Sequence, residues 1–309
     1  MRILIIGLGS IAKKHIAAIR KLNPKAEIFA LRSSKKTEVI EDVRQIFDWS
    51  ELTFKPDFII ISNPTYLHGE TIIKSLDYEC PLFIEKPVLN VLENADSIIA
   101  EVRSRKVITY VACNLRFHPS IRFLKDYLQA RNPRINEVNV YCGSYLPQWR
   151  PVDDFRTSYS ANADMGGGVH LDLIHELDYS FWIFGKPDEI VSIKRNVSSL
   201  NIDAIDYAHF NLFYPMFSLS INLNYYRRDP KRELEVVMDE DTLSVDLLKN
   251  RVESRITGKV LFENPFHMSQ TYSDQMKYFT DKIQQKTQPM NSIDEGIAML
   301  SMVLKSGRT

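Results

Sequence analysis

Three groups of residues, far apart in the chain, have the types and spacing for acid–base chemistry on an oxygen. Glu85-Lys86-Pro87 follows the apolar run Leu82-Phe83-Ile84. A lysine held between a carboxylate and a proline at a strand end is a fixed cation, suited to polarising an oxygen and steadying a developing alkoxide. Gly166-Gly167-Gly168 precedes Asp172 and His175. Read as one helix over 169–184, this stretch places Leu173, Leu177, Phe181 and Phe184 on an apolar stripe. Asp172 and His175 stand at i, i+3 and share a face. At about 100° per residue that face points nearly opposite the stripe, toward solvent or a cleft. An imidazole, with an ordinary pKa of about 6.5, exchanges protons at neutral pH. His175 is therefore the candidate general base or acid, Lys86 the candidate oxygen-polarising cation and Asp172 the candidate orienting carboxylate. Glu85 is expected to position Lys86. Without the lysine, Asp172 and His175 would read equally well as polar residues on an ordinary helix surface.

Gly7-Leu8-Gly9-Ser10-Ile11-Ala12 lies between a strand and a helix, the context a dinucleotide-binding turn requires. Gly7 permits the tight turn and Gly9 lets a pyrophosphate approach the backbone. Ser10 and Ile11 open a helix whose N-terminus carries partial positive charge. The second strand ends in Leu31-Arg32-Ser33-Ser34-Lys35-Lys36, with no carboxylate to bond ribose hydroxyls. Arg32, Ser33, Ser34 and Lys35 suit a 2′-phosphate instead. NADP is the expected cofactor, with NAD the alternative and a solvated basic turn the competing reading. Asn63, Pro64 and His68 follow the third strand, where nicotinamide ribose and pyrophosphate run; His68 serves equally as a structural residue at a helix start. His15, one turn into the first helix, reads as a packed residue. Asn114, Arg116 and His118 close the domain and could line a cleft. Tyr145, Trp149, Arg150 and Arg156 precede the glycine triplet; an aromatic and two arginines suit a sugar bearing carboxylate or phosphate, or equally a subunit contact.

These residues need a scaffold. Strands at 2–6, 27–31, 58–61, 82–84 and 107–111 alternate with helices at 11–22, 69–78 and 91–105, which predicts a parallel sheet with right-handed crossovers. After about residue 115, strand-like runs follow one another at 137–142, 190–195, 207–213, 217–225, 233–238, 243–248 and 259–262. Helices are expected at 119–130, 169–184, 269–286 and 292–305. The fold class is α/β: a doubly wound parallel sheet of Rossmann type over 1–116, then an α+β domain with an open, mainly antiparallel sheet over 117–309 for substrate binding and oligomerisation.

The 309 residues allow about two domains. Lys plus Arg balance Asp plus Glu at 39 each, so no global field favours nucleic acid or an acidic membrane. Cys80, Cys113 and Cys142 form no Cys-x-x-Cys pair, and no grouping has metal spacing, so no metal is expected. No apolar run reaches membrane-span length and the N-terminal run is short for a signal peptide. A cytoplasmic protein with reduced thiols is expected. An apolar-rich sheet face in the second domain needs covering, which points to a homodimer or homotetramer.

Taken in order, Gly7-x-Gly-x-x-Ala-x-x-His15, Ser62-Asn63-Pro64-Thr65-x-x-His68, Glu85-Lys86-Pro87 and Gly166-Gly167-Gly168-x-x-x-Asp172-x-x-His175 give the chain a clear family likeness. It resembles the Gfo/Idh/MocA oxidoreductases over nearly its whole length. The resemblance implies a Rossmann domain followed by an α/β domain whose open sheet often forms the subunit interface. It also implies that the Lys-Pro motif lies beside the nicotinamide. The spacing Asp172-x-x-His175 is one residue shorter than the Asp-x-x-x-His of many members. That version, with Leu146-Pro147-x-Trp149-Arg150-Pro151 and His175-Glu176-Leu177-Asp178-Tyr179, resembles a branch found in surface-polysaccharide and nonulosonic-acid sugar pathways. The expected activity is NAD(P)-dependent hydride transfer on a sugar, sugar nucleotide or related polyol, with the three polar side chains converging on one carbinol. A glycosidase using tightly held NAD, or a non-catalytic nucleotide-binding regulator, are the alternatives.

Overall fold

Arg2–Ile6 forms β1, whose residues 3–6 are all buried. In the computed structural model, which describes residues 1–34, 39–149 and 154–306, β1 is a central strand of a six-stranded parallel sheet. Its partners are β2 (Glu27–Leu31), β3 (Val43–Ile46), β4 (Phe58–Ile61), β5 (Leu82–Ile84) and β6 (Thr109–Val111), in the order β3-β2-β1-β4-β5-β6. β4 and β5 are wholly buried apolar runs, as strands covered on both faces must be. The edge strand β3 was not expected. Only Val43 and Ile46 of its four residues are buried apolar ones, too few for an alternating signal. Helices α1 (Ser10–Leu22), α2 (His68–Ser75) and α3 (Ala95–Ser104) follow β1, β4 and β5. The basic residues Lys35 and Lys36 lie outside the described residues, as does Arg150.

The chain then runs through α4 (Pro119–Arg131), β7 (Ile135–Tyr145), α5 (Val169–Asp172), α6 (His175–Phe184), β8 (Glu189–Arg195), β9 (Tyr207–Phe213) and β10 (Ser218–Asn224). It continues with β11 (Tyr226–Met238), β12 (Thr242–Asp246), β13 (Arg251–Ser254), β14 (Val260–Glu263), α7 (Ser269–Gln285) and α8 (Ile293–Lys305). The eight strands form one sheet in the order β14-β13-β12-β11-β7-β10-β9-β8. All its pairings are antiparallel except that of β10 with β7. Alternation is clean on β9 and β10. Ala208, Phe210 and Leu212 are buried with Leu219, Ile221 and Leu223, and the residues between them turn to the other face, including Asn211, Ser220 and Asn222.

By compactness the molecule separates into one unit of residues 1–114 with 268–300 and a second of 115–267 with 301–309. In the first, α7 packs along α1, and Phe279 meets the rings of Phe58 and Phe83 edge-on at 5.4 and 5.3 Å.

The single helix expected over 169–184 is two. α5 ends at Asp172, Leu173 departs to φ −99°, ψ 30°, and α6 starts at His175. An apolar stripe through Leu173, Leu177, Phe181 and Phe184 requires one continuous helix, which the chain does not form. In fact α6 buries Glu176, Leu177, Asp178, Tyr179 and Ser180 in succession, so hydrophobicity alone does not mark its inward face. Among the described residues no helix is long and apolar enough to cross a membrane.

Candidate active site

The turn from β1 to α1 has the features of a phosphate cradle. Gly7 adopts φ +84°, and a Cβ there would meet the backbone N and Cα of Asn63 at 2.8 Å. Only glycine permits both the conformation and this approach of β1 to the end of β4. Above Gly9 the space is open: an added Cβ meets nothing within 4 Å. Gly9 is the N-cap of α1, no side chain caps the helix, and its first turn carries no acid. The amide donors at this helix start, around Ser10 and Ile11, suit an anion. The Ser62 hydroxyl donates to the carbonyl of Ile6 at 3.0 Å and ties the two strand ends together. Asn63 donates to the Thr71 hydroxyl at 2.8 Å, while its buried Oδ1 accepts no hydrogen bond from the protein. An open cradle, an uncapped helix and an orphaned acceptor fit a dinucleotide.

His68, 1 % exposed, bridges the loop ends. Its Nε2 lies 3.0 Å from the carbonyl of Asn63, and its Nδ1 lies 3.1 and 3.2 Å from the carbonyls of Pro87 and Val88. Burial lowers its pKa and the carbonyls oppose that shift. Pro64 caps the short 3₁₀ turn before it. At the end of β2, Arg32 donates to Gln45 on β3 at 3.3 Å, and Ser33 and Ser34 are exposed.

Lys86 follows β5, is half-buried, and joins Pro87 through a cis peptide bond. Glu85 is buried. One carboxylate oxygen takes the Nε2 of His15 at 2.5 Å, and the other accepts the backbone N–H of Lys86 at 3.2 Å. Asn114, also buried in this unit, donates to the Thr271 hydroxyl of α7 at 2.7 Å.

In the second unit the glycine triplet is a steric requirement. A Cβ on Gly167 would strike the carbonyl oxygens of Tyr159 and Asn162, and Gly168 sits at φ +134°. The chain thereby folds tightly into α5, which delivers a half-buried Asp172 at its last position. The hydroxyl of the fully buried Tyr225 donates to Asp172 Oδ2 at 2.5 Å. Burial first, then the carboxylate, pushes the Tyr225 pKa well up, so the phenol keeps its proton. Trp149 packs edge-on against Tyr225 at 5.2 Å and donates its indole N–H to Ser144 Oγ.

His175, half-buried, opens α6. The next acids on that helix are anchored from behind. Glu176 accepts from Arg232 of β11 at 2.6 Å, and Asp178 takes both arms of Arg116 at 2.9 and 2.7 Å. Arg116, expected to line a cleft, is thus held in a buried ion pair. Tyr145 accepts from Arg228 at 2.9 Å with the guanidinium over its ring. Arg156 is exposed, pairs with Asp154 at 3.5 Å and lies over Phe155. His118 bonds the carbonyl of Leu247, and burial lowers both His118 and His170 to a pKa of about 4. Among the described residues, no three His, Cys, Asp or Glu side chains could hold a metal ion.

Sequence reasoning missed Tyr225, the Glu176–Arg232 pair and the partnership of His15 with Glu85. No local motif marks them, because each joins residues more than fifty positions apart.

Residues 1–113 match the model of the Gfo/Idh/MocA oxidoreductase family with its NAD-binding Rossmann fold. The chain is 27% identical over 210 residues to scyllo-inositol 2-dehydrogenase (NAD(+)) of Bacillus subtilis, covering 65% of this chain and 58% of that protein. It is 29% identical over 201 residues to myo-inositol 2-dehydrogenase of Thermotoga maritima, covering 62% and 57%. The matches span little more than half of these relatives' lengths. The fold is shared with UDP-N-acetylglucosamine 3-dehydrogenase of Acidithiobacillus ferrooxidans, with a TM-score of 0.80 over 99% of this chain and 96% of that one at 18% identity.

Proposed function

We propose, from the membership of residues 1–113 in the Gfo/Idh/MocA oxidoreductase family, that the chain is an NAD(P)-dependent oxidoreductase. Its substrate is a sugar, sugar nucleotide or related polyol. The observation that carries this reading is the pairing of an open, uncapped cradle at Gly9 with a lysine just past β5 whose backbone N–H is held by Glu85. A bound nicotinamide supplies the hydride acceptor or donor. Gly7, Gly9, Ser10 and Ile11 hold its phosphates, and Asn63 and Pro64 flank the ribose, with His68 and Glu85 holding the loop and the lysine. Lys86 polarises the substrate oxygen and steadies the alkoxide. His175 takes the hydroxyl proton in oxidation and returns it in reduction. Asp172, gripped by Tyr225, orients a neighbouring hydroxyl.

The finer readings follow the same residues. Arg32 with Ser33 and Ser34 favours a 2′-phosphate, hence NADP over NAD. Tyr145, Trp149 and Arg156 line the substrate side, with Asn114 and Arg116 as supports of its walls rather than ligands, since their donors are engaged by Thr271 and Asp178. A homodimer or homotetramer through the open sheet accompanies this reading. The test is a panel of inositols, hexoses and UDP-sugars with NAD⁺ and NADP⁺, followed by formation of reduced nicotinamide. Turnover of at least one sugar-type alcohol is expected. Tight dinucleotide binding without net reduction of any member of the panel would overturn the proposal.

A further inference from the structure

The sheet that carries Lys86 stops holding the chain one residue before it. The backbone N–H of Glu85 still donates to Ile61, and Ala112 still donates to Ile84, at 2.9 and 2.8 Å. At Lys86 the backbone N–H turns instead to the side chain of Glu85. Beyond the ladder, then, the amide of the proposed oxygen-polarising residue depends on where one carboxylate is held.

That carboxylate is held by His15. The imidazole is fully buried on the inner face of α1, beside Ala12, Ile16 and Ile19. Its ring meets Phe83 edge-on at 4.8 Å and Tyr272 at 6.0 Å. Nε2 lies 2.5 Å from Glu85 Oε1, and the equally buried Nδ1 has no hydrogen-bond partner. A hydrogen bond to a carboxylate requires the proton on Nε2, so that tautomer is assigned by its surroundings. Each oxygen of Glu85 thus accepts one donor, one from α1 and one from the chain at Lys86. The bond from His15, at 2.5 Å, is the shorter of the two and the one from Lys86, at 3.2 Å, the longer.

The helix that supplies His15 is the one that starts at Gly9. Ser10 and His15 are separated by about 8 Å along the axis, at 1.5 Å per residue. The end of α1 that faces the phosphates and the residue that clamps Glu85 therefore belong to one rigid element.

We propose that His15 is a positioning residue for Lys86, acting through Glu85. The inference rests on the reading of Lys86 given above, but its geometry can be measured without any substrate. A histidine that merely filled space would be replaceable by leucine without consequence for the amide of residue 86. A positioning histidine would not.

The experiment compares H15L, which keeps the bulk, with H15Q, which keeps a donor of similar reach. Hydrogen exchange at the Lys86 amide is the first readout. It is expected to quicken by about tenfold or more in H15L, with Phe83 and Ile84 unchanged and H15Q near the parent protein. The second readout is kinetic. In H15L, kcat is expected to fall by about 10- to 100-fold, with KM for the nicotinamide cofactor changed by no more than about threefold. H15Q should recover most of kcat. Unchanged exchange at Lys86 in H15L overturns the proposal, as does an H15Q variant no better than H15L in both readouts. Should H15L not fold, E85M, which keeps the length and removes both acceptor oxygens, is measured in the same way, and a Lys86 amide as protected as in the parent protein sinks the idea. If the parent protein turns over no sugar-type alcohol, the enzymatic reading fails, while the exchange comparison still decides the role of His15.

Discussion

The hydroxyl of Tyr225 reaches back 53 residues to hold Oδ2 of Asp172 at 2.5 Å. The donor is fully buried and the acceptor half-buried, so the tyrosine holds the carboxylate from the protein interior. Removing the hydroxyl with Tyr225→Phe keeps the ring against Trp149 but deprives the carboxylate of its guide. We expect kcat/KM for the sugar to fall by about 10- to 100-fold. Titration of the nicotinamide cofactor should give the parent affinity, since the cradle is in the other unit. A fully active Tyr225→Phe enzyme would show that Asp172 needs no such guide.

Lys86 and His175 are assigned different tasks and should fail differently. Lys86→Ala removes the cation proposed to steady the alkoxide, and kcat should drop by about 100- to 1,000-fold. His175→Ala removes the proposed proton acceptor, with an expected loss of about 100- to 10,000-fold in kcat, and cofactor affinity should be nearly intact. The pH profile separates them: the limb that reports the proton acceptor should vanish in His175→Ala alone. Near-normal turnover by Lys86→Ala would remove the role given to that residue.

Cofactor choice is concentrated at one strand end. Arg32→Glu replaces the proposed 2′-phosphate partner by a carboxylate of the kind that bonds ribose hydroxyls and repels phosphate. The ratio of kcat/KM for NADP to that for NAD should fall by about 100-fold, from a change of about 2.7 kcal/mol in discrimination. A parent enzyme that already prefers NAD would contradict the expectation before the variant is made.

Two buried histidines make stability sensitive to acid. The pKa of His118 and of His170 is held at about 4 by burial, against about 6.5 in an unfolded chain. As pH falls below 6.5 the unfolded chain binds protons that the folded chain refuses. Stability is therefore present above that value and is lost by roughly 1.4 kcal/mol per pH unit for each histidine down to about pH 4. His68, shifted in the same direction, acts with the same sign. Tm should fall between pH 7 and pH 5, and the His170→Gln variant should show a shallower slope. A slope identical in the two proteins would remove His170 from the account.

Much of the scaffold is legible in the sequence because it follows from local rules. A buried run ending in Gly7-x-Gly9, an amphipathic stripe after it and the apolar run Phe58–Ile61 each announce their element within a few residues. The alternation of β9 and β10 does the same for the second sheet. Legibility ends where one residue's state depends on a distant partner. Leu173 breaks a pattern that periodicity reads as continuous. Glu176 and Asp178 would be surface residues on any helical wheel, yet they are buried because Arg232 and Arg116 meet them. Nor does an amphipathic helix declare which sheet it will cover. That Phe279 of α7 meets Phe58 and Phe83 is visible only in the folded chain.

The two arginines behind α6 have a practical corollary for anyone wishing to retune this protein. Glu176 is moored to β11 and Asp178 to the turn that precedes α4, so the helix that begins with His175 can neither roll nor slide without stranding a charge in the interior. Engineered changes are therefore better placed away from α6, in segments that lack such moorings. The exposed stretch around Arg156, whose ion pair is local and solvated, is the natural place to begin a library.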